Sequence, residues 1–81
     1  MKQETINFIE EKADEINRLR QTQWVVRKYH DLISKVVIDA TYQRQCSELA
    51  DEVNDKIAAE CGNDLELLSK YQSHFINSLR A

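Results

Sequence analysis

Proline is absent from this chain of 81 residues, and glycine occurs once, at Gly62. Sheet turns and hairpins draw on Gly, Pro and Asn-Gly at many points. A β-domain of this length is hard to build without them, whereas helices need no such punctuation. The composition therefore points to an all-α fold. Long apolar runs are missing as well. None exceeds three residues, as in Val36-Val37-Ile38, against about 20 for a membrane span. The first residues, Met1-Lys2-Gln3-Glu4-Thr5, lack the apolar centre of a signal peptide. The sequence-level expectation is a cytoplasmic protein with no membrane partner.

Recognisable chemistry is also scarce. One glycine leaves no room for a glycine-rich phosphate loop. His30 and His74 have no further His or Cys at ligand spacing, so neither a structural metal nor a cofactor is expected. The two cysteines, Cys46 and Cys61, stand about 22 Å apart if one helix carries both, far beyond disulfide reach. They read as two reduced thiols. Cys46 falls on an apolar stripe, where a small core residue is the simple reading. Cys61 falls at a helix C-terminus, whose dipole disfavours a thiolate. The acid pairs Glu10-Glu11 and Asp51-Glu52 are adjacent rather than facing, as on a solvated surface. No catalytic residue is assigned, and the chain reads as a non-enzyme.

Helical periodicity, in contrast, is plain. Ile6, Ile9, Ala13, Ile16 and Leu19 recur at steps of three and four. So do Cys46, Leu49, Val53 and Ile57, and again Leu65, Leu68, Tyr71, Phe75 and Leu79. Opposite charges four apart, such as Asp14 and Arg18 or Glu52 and Lys56, add local support. Gly62 suits the residue just past a helix end. Asn63 and Glu66 then have the spacing of a capping box. Residues 20–42 carry a weaker signal, because the β-branched runs there lower helix propensity. Thr22 is one candidate N-cap and Asp31, with Ser34, a second. The spacing predicts a single domain, 1–81, with helices near 4–21, 23–61 and 63–80. The rival reading runs 4–61 as one helix, about 87 Å long, which needs a partner helix beside it.

A chain this short buries only about 60% of its unfolded surface. Without a metal or a disulfide, the remaining source of stability is another chain. Trp24-Val25-Val26 and Val36-Val37-Ile38 spread apolar surface around a wide arc of the middle helix, more than two short flanking helices can wrap. Charge is segregated too. Residues 18–44 hold six Lys or Arg and two Asp, whereas residues 45–66 hold one Lys and seven acids. An antiparallel pair of middle helices sets these blocks against each other. The expectation is therefore an antiparallel two-fold homodimer, with Val26, Ile33, Val37, Leu49 and Val53 at its interface. A monomeric three-helix bundle is the alternative.

Arg20, Trp24, Arg27, Lys28 and Tyr29 form a basic-aromatic cluster. Such residues are the usual hot spots against another protein, and the expected function follows from them. It is a small non-catalytic regulator, adaptor or inhibitor acting on a larger protein complex. Short, acidic, motif-free helical chains are common among phage-encoded antagonists of host systems. The same cluster suits a nucleic-acid-binding module based on segment 18–44. A third reading is a purely structural helical oligomer.

Overall fold

The computed structural model describes residues 1–80; Ala81, the last residue of the expected domain, lies outside the described residues. The described chain is all-helical, with α1 Gln3–Arg27, α2 Leu32–Cys61 and α3 Leu65–Ser78. No helix among the described residues is long and apolar enough to cross a membrane. Helices α1 and α2 form an antiparallel hairpin, and α3 packs back against both. The molecule is a rod of 47 × 17 × 16 Å.

The break between the first two helices falls at the second candidate cap. Helix α1 continues through Thr22, expected to begin a new helix, as far as Arg27. Its last carbonyls, those of Val25, Val26 and Arg27, accept from the amides of Lys28, Tyr29 and His30. The His30 ring Nδ1 also lies 2.9 Å from the Val26 carbonyl. Asp31 then caps α2, its carboxylate accepting from the Ser34 amide at 2.8 Å. That bond holds the Asp31 carboxyl below its ordinary range. At the second boundary Gly62 adopts a φ of 54°, a region open to glycine at little cost. The cap of α3 is Asp64 rather than Asn63, and its carboxylate accepts from the Leu67 amide at 3.1 Å.

The core occupies one half of the rod, here called the base. It joins Ile9, Ala13 and Ile16 of α1, Val53, Ile57 and Cys61 of α2, and Tyr71 and Phe75 of α3. Thr5 closes its end, donating to Glu60 Oε1 at 2.6 Å. The Lys2 amide donates to the Tyr71 hydroxyl at 2.8 Å. Thr5 first, and then the Tyr71 hydroxyl, hold the Glu60 carboxyl below the usual glutamate range. Around this core, an ion pair joins Lys12 to Glu52 at 3.1 Å, and the His74 ring Nε2 lies 3.0 Å from Glu10 Oε1.

Two outcomes follow. Ile57→Ala should cost about 2–5 kcal/mol of unfolding free energy by cavity formation, whereas Asn54→Ala on the open surface should stay within about 0.5 kcal/mol. Urea titration distinguishes them. Glu60 has a depressed folded pKa, so its contribution is complete above the ordinary glutamate value of 4.5 and is lost as pH falls through the lower folded value. Thermal melts of wild type should therefore fall in that acid window more steeply than those of Glu60→Gln.

Candidate functional site

Helix α3 lies in the furrow between α1 and α2 and ends where Asn17 meets it. The Asn17 Nδ2 donates to the Ser78 carbonyl at 3.1 Å, and its Oδ1 accepts from the Arg80 amide at 2.8 Å. Beyond this point the hairpin continues without a third helix, as an arm of about ten residues of α1 and fifteen of α2. Within the arm each helix has one neighbour, so only one face of each can be covered. Gln23 Nε2 donates to Asp39 Oδ1 at 2.8 Å, and Arg27 Nε donates to Asp39 Oδ2 at 3.1 Å. Gln23 first, and Arg27 after it, hold the Asp39 carboxyl below its ordinary range, against the opposing effect of burial. This small network ties the two helices of the arm together.

The five expected partner-binding residues all lie on the arm. Arg20 is exposed and Trp24 is 60% exposed, both on the side of α1 along which α3 would run if it were longer. Lys28 lies over the Trp24 ring, with its Nζ 5.2 Å from the centroid. Arg27 is half-buried in its ion pair with Asp39, and Tyr29 is exposed in the turn at the tip. The arrangement thus gathers Arg20, Trp24, Arg27 and Lys28 on one flank and places Tyr29 apart.

The expected interface residues divide. Ile33, at 80% exposure, and Val37, at 62%, lie open on the outer face of α2. Val26 is half-buried and Leu49 packs against the core. Val53 is fully buried inside the chain's own core, which corrects its assignment to a surface between copies. Helical geometry gives the reason. Val53 lies about four and a half turns beyond Val37, so the two side chains leave α2 on opposite sides. Residues that the sequence reading did not select complete the outer face: Leu32 and Val36 are widely exposed, and Ala40 continues their stripe. Their signal was the adjacent apolar pairs Leu32-Ile33 and Val36-Val37, which one narrow stripe cannot hold.

Charge follows the same division. The ion pairs of the base consume acids of α2 and α1, whereas Arg27 is the only arm cation with an ion pair among the described residues. Cys61 is buried and its thiol is pushed up by that burial, and then by Glu60 and Asp64. Among the described residues no group of three His, Cys, Asp or Glu side chains is placed to hold a metal ion. The arm offers apolar and cationic surface. Comparison with protein-family models, with curated proteins and with solved structures finds no match to this chain.

Asp39→Asn should loosen the arm and leave the base intact. Amide exchange in 20–27 and 32–42 should accelerate, with 9–16 and 53–61 unchanged. The same selective loosening should appear in wild type as pH falls below the ordinary aspartate value of 3.8, because the depressed Asp39 contributes only while ionised.

Proposed function

We propose that this protein is a non-catalytic protein-binding module, a regulator, adaptor or inhibitor, whose working part is the uncovered arm. One observation carries the reading: Trp24, Val25, Leu32, Ile33, Val36 and Val37 are all at least half exposed on a segment that no other described residues cover. Contiguous apolar patches of more than a few hundred Å² are rare on monomers and mark sites of association. The cations beside them favour an acidic partner surface.

Self-association is the first use of the outer stripe. An antiparallel pair with its two-fold axis beside Val36 and Val37 sets Ile33 of one copy against Ala40 of the other. A longer overlap, with the arm of one copy along the acidic half of the other, sets Val37 opposite Asp51 and Ile33 opposite Asp55, which wastes the apolar surface. The short overlap has its own cost, since it brings the two cationic arms together. Repulsion between exposed charges is screened by salt, so this dimer should tighten as ionic strength rises. Nucleic-acid binding remains the second reading, favoured by the unpaired arm cations beside Trp24 and Tyr29. The aliphatic stripe has no role in phosphate or base contact, and for that reason the protein-binding reading ranks first.

Light scattering at micromolar concentration tests the proposal. Wild type should exceed the monomer mass, more so at about 1 M salt than at about 0.1 M, and Val37→Asp should return it to monomer at both. A monomer under every condition, joined to DNA or RNA binding that falls steeply with salt, would overturn the reading in favour of the nucleic-acid module.

A further inference from the structure

The furrow that holds α3 does not end where α3 ends. Past Phe75 and Leu79 it runs on between the two helices of the arm, first beside Arg20, Cys46 and Gln43 and then beside Trp24, Arg27 and Asp39. Arg20 borders both of these clefts and also a third, which it shares with Trp24, Arg18 and Arg80. The extension from Asn17 to Arg27 is about 15 Å long, or roughly three helical turns. Its two ends are apolar, with Leu79, Cys46 and Ala50 near α3 and Trp24 towards the tip. Its rim carries Arg18, Arg20 and Arg80, none with an ion-pair partner among the described residues, against one acid, Asp14, while the floor's Asp39 is held by Gln23 and Arg27.

We propose that this extension is the seat of one amphipathic, acidic helix from another protein, laid end to end with α3. This deepens the protein-binding reading, on which it rests, by assigning the flank of the arm a ligand separate from the outer stripe of α2. The shape is set by the chain itself, because α3 already shows that a helix fits between α1 and α2 at this spacing. The apolar ends call for large aliphatic side chains about two turns apart, one over Cys46 and one against Trp24. The unpaired arginines call for Glu or Asp on the flanks of that stripe, where a planar guanidinium can meet a carboxylate with two hydrogen bonds. The chain's own helices do not meet this description. Asp39 is held by Gln23 and Arg27, the other acids of α2 lie on its outer face or in the base, α1 turns its apolar stripe into the core, and α3 carries a single acid, Glu66.

Two side chains report on the seat. Trp24 is the only tryptophan. Cys46 lines the furrow and is half-exposed, whereas Cys61 is buried with its thiol pushed up. The probe is a blocked synthetic peptide of about three turns, with Leu at helical spacing and Glu on both flanks, titrated into the Val37→Asp protein so that self-association does not intervene. The expected result is a blue shift of Trp24 emission and a slower alkylation of Cys46, both saturable. Arg20→Glu should weaken binding at least tenfold, and Arg44→Glu, on the outer face, should leave it within twofold. A Lys-flanked version of the peptide should not bind. The proposal is overturned by an unchanged Trp24 spectrum, by equal binding of the Lys-flanked peptide, by indifference to Arg20→Glu, or by single-stranded DNA producing the shift in place of the peptide. Because light scattering reads the outer stripe independently, failure here with dimerisation intact refutes the helix seat alone. Failure of both refutes the protein-binding reading.

Discussion

A helix of 14 residues lies against one of 30, and the rest of the molecule is organised by that mismatch. Three helices enclose a core, because each can turn one face toward two neighbours. Two helices share only an interface. Where α3 is present, Ile9, Val53, Ile57 and Tyr71 lose all contact with solvent. Where it is absent, half-burial is the most that Leu19, Val26, Ile38 and Tyr42 attain. The transition is sharp because Asn17 binds both sides of the α3 terminus, satisfying the Ser78 carbonyl and the Arg80 amide together. A helix end left unsatisfied there would fray and blur the boundary.

The division of charge coincides with this division of packing. In the base, cations of α1 face acids of α2, as in Lys12 with Glu52, whose contact raises the Lys12 pKa. Exposed pairs of this kind contribute about 1 kcal/mol at most, so they are a weak source of stability. The base holds twelve acids against five Lys or Arg and stays acidic after pairing, whereas the arm, residues 18–44, holds six Lys or Arg against two Asp. The rod is therefore polarised along its long axis. An acidic surface approaching it is steered to the end where the apolar side chains are also exposed, so encounter and burial act at one place.

Much of this was legible in the sequence, and the parts that were not have identifiable causes. The absence of proline and the single glycine gave the all-helical class, and the apolar repeats gave the core stripes from Ile9 to Ile16 and from Val53 to Ile57. Gly62 marked the second boundary to within a residue. The spacing puts the first boundary at Thr22, nine residues ahead of the cap at Asp31. The turn there contains neither glycine nor proline, because short backbone bonds and the His30 ring satisfy the end of α1 without a left-handed residue. Such a turn has no compositional mark, and only the Asp31–Ser34 pair announces it. The misplaced boundary carried Val26 onto the same stretch as Val37, and the stripe was then extended to Val53 across a half-turn of drift. The furrow beyond α3 was illegible in principle, since it depends on where α3 stops and on its return along the hairpin.

The arm's composition bears on how such a surface would work. Val25, Val26, Ile33, Val36, Val37 and Ile38 are β-branched, a poor choice for helix propensity alone. In a helix, however, Val and Ile keep close to one χ1 rotamer whether covered or not. Ordering a flexible side chain on binding costs roughly 0.5–1.5 kcal/mol, and a Leu or Met stripe would incur more of that cost than a Val and Ile stripe does. Propensity lost in the free arm is thus recovered as preorganisation at the moment of contact. The base, whose core is already closed, has no such need and mixes Ile with Ala, Tyr and Phe. Rigid aliphatic side chains left exposed on the arm, beside cations without partners, suit a surface that another chain would cover. A structural oligomer needs the apolar stripe but gives no reason for the unpaired arginines. A phosphate-binding module needs the arginines but gives no reason for the stripe. The two proposed contacts divide these features: self-association would use the stripe, and an acidic helix in the furrow would use the arginines.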